Sequence, residues 1–130
     1  MTQNLAHAIT AYRVAATQVH PLVAVVKLFD ETLKRIALAI ASIEDKRHED
    51  AYIHISRASL ILRGLAGNLR FDKGEDVAKT LQTTYVTNMI ALHTAYGKKD
   101  AVARYRKIRS GLLELRNAWA TVAGMPELDR

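Results

Sequence analysis

The sequence has no cysteine among its 130 residues, and only two prolines. The absence of cysteine excludes a disulfide framework, a thiolate metal site and a thiol nucleophile. No apolar run approaches the roughly 18 residues that a membrane-spanning helix needs, so we expect no membrane insertion. The first ten residues lack the basic start and continuous apolar core of a secretory signal. These absences predict a cytoplasmic protein of the cytosol.

Aromatic residues are also scarce, at 6% of the chain, although the net charge is +6. The length is sufficient for one domain. The basic net charge raises the possibility of nucleic-acid binding. Such binding needs a basic face with aromatic side chains available for stacking on bases. The modest basic excess from Lys98 to Arg109 has only Tyr96 and Tyr105 nearby, and Tyr105 falls on an apolar stripe. Nucleic acid is therefore disfavoured relative to a solvated basic face or an acidic partner.

Apolar residues recur every three or four positions along the chain, which predicts amphipathic helices. Two-residue alternation, typical of strands, is absent. We predict an all-α fold in one domain of residues 1–130: an antiparallel four-helix bundle over residues 21–123 with a short N-terminal cap helix over residues 4–17. The cap helix has only Leu5, Ile9 and Tyr12 as large anchors. Three anchors leave little margin over the cost of ordering a dozen residues, so a partner could displace it.

Several finer expectations follow from the same pattern. Tyr52 falls on the buried stripe of the second bundle helix, and Asp30 is placed to pair with Lys34 on the surface of the first. Asp100 is a good N-cap residue for the last helix. Gly64 and Gly67 imply either close helix–helix approach or an early helix end.

No arrangement of residues indicates catalysis. A di-iron bundle needs Glu-x-x-His pairs, and no Glu is followed three residues later by His. The five histidines share no metal-ligand spacing. Phosphate loops, dinucleotide fingerprints and nucleophile elbows are absent. We predict no catalytic residues, no metal site and no cofactor, and hence a protein that is not an enzyme.

The helices carry more apolar surface than a bundle core needs. Ile53, Leu60 and Ile61 in one helix, and Val86 and Ile90 in the next, lie off the main stripes. They could form a groove that accepts an amphipathic partner helix or the N-terminal cap helix. Alternatively, they are part of broad core faces in a tightly packed small bundle. The pattern alone leaves both interpretations open.

Five short motifs occur in a fixed order over most of the chain. They are Ala11-Tyr12 followed by Pro21; Leu28-Phe29-Asp30 with Leu33; Leu69 with Lys73-Gly74; Val77-Ala78 with Leu81 and Tyr85; and Leu115-Arg116 with Ala118-Trp119. In this order the sequence resembles the flagellin export chaperone family, FliS. The resemblance covers about 110 residues.

The resemblance implies a cytosolic chaperone whose partner is the C-terminal segment of unpolymerised flagellin. Members of that family prevent premature polymerisation and deliver the subunit for flagellar type III export, which adds export-gate components as partners. We expect Ile9 and Tyr12 of the cap helix to make the contacts of the cap or those with the partner. We expect the groove to be formed by Ile53, Leu60, Ile61, Val86 and Ile90. The alternative is a basic helical-bundle adaptor or regulator that binds another helical protein, or nucleic acid.

Overall fold

The computed structural model describes residues 4–10, 22–69 and 74–129. Five helices lie in these ranges: α1 over residues 4–10, α2 over Leu22–Glu44, α3 over His48–Gly67, α4 over Glu75–Ala95 and α5 over Ala101–Ala123. No strand occurs in the described ranges. The all-α prediction is confirmed. Tyr12, Pro21 and the remainder of the predicted 4–17 cap helix lie outside the described residues.

The four long helices form an antiparallel bundle in which α2 packs against both α3 and α5. Helix α4 packs against α3 and, more sparsely, against α5, so that α2 and α4 lie diagonally opposite each other. Two ion pairs, Arg106–Glu44 and Arg116–Asp30, show that α2 and α5 run in opposite directions. No described helix is long and apolar enough to cross a membrane.

The centre of the bundle is an aromatic contact between the diagonal helices. The rings of Phe29 on α2 and Tyr85 on α4 lie 6.0 Å apart at a tilt of 46°. Both side chains are almost completely buried. Trp119, Leu115 and Leu81 are buried in the same core.

Helix α1 is docked on this core. Ala6 and Ile9 belong to the central apolar cluster, and Ile9 is completely buried. Burying one large aliphatic side chain contributes about 1.5–3 kcal/mol. A single fully buried large anchor in the described part of this helix is compatible with docking that a competing partner could reverse.

The second half of α5 is buried on nearly all sides, because the chain turns at Gly124 and runs back along the helix. Gly124 adopts a left-handed conformation with φ of 74°, which glycine tolerates at a helix end. The Asn117 side chain then pairs with Leu128, accepting from its backbone N–H and donating to its carbonyl, both at 2.9 Å. We call residues 125–129 the C-terminal strap.

Two of the finer expectations are wrong. Tyr52 is half exposed rather than buried, because it stacks edge-on against Tyr96 at the bundle end. Asp30 pairs with Arg116 across the helix interface rather than with Lys34 on its own helix. Asp100 is the N-cap residue of α5, as predicted, but its carboxylate makes no capping hydrogen bond. The carboxylate instead accepts from Arg104 at 2.8 Å, and that hydrogen bond lowers the pKa of Asp100.

The glycines of α3 do not allow a close approach of helices within the molecule. A Cβ atom at Gly64 or Gly67 would meet nothing within 4 Å. Gly67 ends α3, which agrees with the alternative expectation of an early helix end. Gly74 precedes α4 with an extended backbone (φ 175°) that any residue can adopt, so no requirement for glycine arises there.

Candidate functional site

Helix α3 has apolar side chains on two opposite faces. Its core face consists of residues at alternating spacings of four and three: Ala51, Ile55, Ala58, Leu62 and Leu65. Ile53 and Leu60 point away from this face and are 48% and 65% exposed. The core therefore leaves these two large side chains without a partner in the described part of the chain.

Helix α4 repeats this arrangement beside it. Ala78, Leu81, Tyr85 and Leu92 face the core, whereas Val86 and Ile90 are 40% and 62% exposed. Helical spacing places Val86, Ile90 and His93 on one face, four and then three residues apart. This face lies next to α3.

An open groove of about 530 Å³ runs between the two helices. Its lining comes from both: Ser56, Ser59, Leu60 and Arg63 of α3, and Met89, Ile90, His93 and Thr94 of α4. We call this the α3–α4 groove. A hydrogen bond of 3.0 Å between His93 Nε2 and Ser59 Oγ spans the two helices within it. Leu60, Met89 and Ile90 are the apolar residues of this lining, and its other five residues are polar.

The charge of the groove is positive. Among the described residues that line the groove, Arg63 alone carries a permanent charge and none is acidic. Within the described ranges Arg63 makes no ion pair or hydrogen bond. Its guanidinium is therefore available to a ligand.

The predicted site residues are only partly brought together. Leu60 and Ile90 both line the groove. Ile53 and Val86 are exposed on the corresponding helices but do not line it.

The remaining predicted site residues lie elsewhere. Ile61 is half buried and packs against the core, away from the groove lining. Ile9 belongs to α1 and is buried against the bundle core, and Tyr12 is outside the described residues.

Sequence reasoning did not assign four polar residues of the groove to the site: Ser56, Ser59, Arg63 and His93. For two of them a signal was present, since Arg63 follows Leu60 by three residues and His93 follows Ile90 by three. Residues three apart on a helix are neighbours on its surface. A criterion based on exposed apolar side chains does not select polar residues.

The arrangement has the features of a binding surface. Among residues 4–10, 22–69 and 74–129, no three His, Cys, Asp or Glu side chains come close enough to hold a metal ion. Exposed Leu and Ile beside an unpaired Arg are typical of a protein interface, in which Arg is enriched relative to Lys. Two neighbouring helices that both expose apolar ridges form a groove of the kind that accepts an amphipathic helix.

Comparison with known proteins identifies the family of this chain. The sequence matches the family model described as "Flagellar protein FliS" over residues 4–126. A search of curated proteins found no match.

Proposed function

Since the chain belongs to the FliS family of flagellin export chaperones, we propose that it binds the C-terminal segment of unpolymerised flagellin in the cytosol. The single observation that supports this most strongly is the α3–α4 groove, with Leu60 and Ile90 exposed on its two rims. A segment that is disordered in the free subunit would fold into an amphipathic helix on these rims. Val86 and Ile53 would extend the contact beyond the groove.

The binding would hide surface that flagellin otherwise uses to polymerise. Coupled folding and binding buries a large apolar area and spends much of the gain on ordering the segment. The resulting affinity is high enough to hold the subunit and low enough to release it. The loaded chaperone would then deliver flagellin to the components of the flagellar export gate.

Helix α1 docks on the core and does not line the α3–α4 groove, so it would compete with a part of the partner that extends beyond this groove. Ile9 is fully buried in the free protein, and it is the only large α1 side chain that is. We propose that the flagellin segment displaces the 4–17 cap, so that Ile9 and Tyr12 exchange cap contacts for partner contacts.

Calorimetric titration tests the proposed function. The purified chain is titrated with flagellin from the same organism, and separately with flagellin lacking its C-terminal segment. We expect one-to-one binding of the intact subunit with a large negative heat-capacity change, no binding of the truncated one, and delayed filament growth when the chain is added to polymerising flagellin. Equal binding of both forms of flagellin would overturn the proposal.

The cap is tested by two variants. Deletion of residues 1–17 should tighten flagellin binding, because no competitor then has to leave. Ile9→Ala should do the same to a smaller extent while keeping the chain length. Unchanged affinity in both variants would show that the cap does not compete with flagellin.

A further inference from the structure

We propose that Arg63 selects the partner helix by its charge: the segment bound in the α3–α4 groove carries a carboxylate beside its apolar stripe, and this carboxylate pairs with the Arg63 guanidinium. The groove would accept an acidic amphipathic helix and discriminate against a neutral or basic one. This inference rests on the proposed function, since it takes the C-terminal flagellin segment as the occupant.

Arg63 differs from most described arginines of this protein, because they have a partner within the chain. Five described arginines each pair with a carboxylate of the chain at 3.2 Å or less: Arg35, Arg47, Arg104, Arg106 and Arg116. Arg109 donates to the backbone carbonyl of Leu33. Within the described ranges, Arg57 and Arg63 have neither an ion pair nor a hydrogen bond. Both belong to α3, the helix that exposes Leu60.

Arg63 also lies where a carboxylate of the bound helix can reach it. It lies one turn beyond Leu60 on α3 and lines the same groove as Ile90. A partner helix that places an apolar side chain between Leu60 and Ile90 presents its next turn to Arg63. The carboxylate should therefore lie three or four residues from the apolar anchor on the partner.

The surroundings of Arg63 would strengthen its pair with a carboxylate. A guanidinium offers a planar fork that matches a carboxylate in bidentate geometry. When the partner covers Leu60 and Ile90, water leaves the groove and the local dielectric falls, which strengthens the attraction. Like charges brought together there would repel, and this repulsion excludes basic helices.

Charge reversal at Arg63 tests the proposal. The probe is a synthetic peptide of the C-terminal flagellin segment from the organism that encodes this chain, titrated by fluorescence anisotropy. Arg63→Glu should weaken binding at least about tenfold, because attraction is replaced by repulsion. Lys107→Glu makes the same charge change at an exposed position on α5 and should change the affinity less than about twofold. Equal effects of the two variants would overturn the inference, because they would reduce it to net charge.

Charge exchange locates the carboxylate. Each Asp and Glu of the peptide is replaced by Lys in turn, and every peptide is titrated against the wild-type chain and the Arg63→Glu variant. One position should weaken binding to the wild type and restore binding to the variant. If no position shows this coupling, the pairing does not exist, although the peptide still binds. If the wild-type chain does not bind the unmodified peptide, it is the proposed function that fails.

Discussion

Arg116 of α5 and Asp30 of α2 form an ion pair across the helix interface, with Nε and Oδ1 2.8 Å apart. The Arg116 side chain is only 5% exposed, whereas Asp30 is 40% exposed. The same guanidinium also donates to the carbonyl of Pro126 at 2.8 Å and to Asn117 Oδ1 at 3.1 Å. One buried charge thus connects α2, α5 and the C-terminal strap.

Removal of Asp30 should therefore destabilise the fold strongly. Asp30→Ala leaves a buried guanidinium without its counter-charge, and we expect a loss of roughly 2–3 kcal/mol, below the range for a fully buried pair because Asp30 is partly solvated. Urea unfolding followed by circular dichroism measures this loss. The neighbouring Glu31→Ala removes the partly exposed pair with Arg35, in which neither side chain is fully buried, and should cost less than about 1 kcal/mol. Equal losses would contradict the role assigned to burial.

The C-terminal strap should depend on the Asn117 side chain. Asn117→Ala removes both hydrogen bonds to Leu128 and one acceptor for Arg116, which should cost about 2 kcal/mol. It should also accelerate hydrogen exchange of the Leu128 amide, since its acceptor is lost. Thr121→Ala, which removes the exposed contact with Glu127, should leave that exchange rate nearly unchanged. Unaltered Leu128 exchange in Asn117→Ala would show that the strap is held by other contacts.

Two glycines should respond to alanine in opposite directions. Gly64 is inside α3 with open space at its Cβ position, so Gly64→Ala should stabilise the fold by about 1 kcal/mol through helix propensity. Gly97 has φ of 81°, so Gly97→Ala should destabilise it by about 1–2 kcal/mol. Thermal unfolding of the two variants measures both. Loss of stability in Gly64→Ala would contradict the open surface described there.

Tyr105 should make stability fall at alkaline pH. Its hydroxyl donates to the Leu92 carbonyl at 2.9 Å inside the core, and burial raises the pKa of Tyr105 from 10.0 to about 12. Below pH 10 the phenol is protonated in both the folded and unfolded states. Between pH 10 and 12 only the unfolded state releases the proton, so up to roughly 3 kcal/mol of stability is lost as pH rises.

Urea unfolding between pH 8 and 11.5 measures the effect of Tyr105. The Tyr105→Phe variant should lose about 1 kcal/mol at pH 8 and show a shallower alkaline decline than the wild type. Tyr52→Phe, at an exposed tyrosine, should keep the full decline. If stability declined equally steeply in both variants, the alkaline loss of stability would come from groups other than the Tyr105 phenol.

The sequence predicted the bundle because helical periodicity is visible within each segment of the chain by itself. Apolar periodicity identified the core faces of Phe29, Tyr85 and Trp119 without knowledge of their partners. Periodicity did not predict contacts between side chains that are far apart in sequence. Asp30 had an opposite charge four residues away, yet it pairs with Arg116, which is 86 residues away.

The site was predicted to a similar extent. Exposed apolar residues off the main stripe identified Leu60 and Ile90. The same criterion also selected Ile61, whose position on α3 turns it toward the core, and helical spacing alone does not distinguish a wide core face from a second surface. The spacing of Arg63 from Leu60 is present in the sequence, whereas only the three-dimensional structure shows that Arg63 has no partner within the described residues.

The most direct test of the account is the affinity for the C-terminal flagellin segment when the groove rims are made polar. The double variant Leu60→Asp/Ile90→Asp changes two side chains that are more than 60% exposed, so the fold should persist. Leu38→Asp, at an exposed leucine of α2, is the matched control. We predict that the double variant loses flagellin binding at least about a hundredfold while the control binds within about threefold of the wild type. Undiminished binding by the folded double variant would contradict the assignment of the α3–α4 groove as the flagellin site.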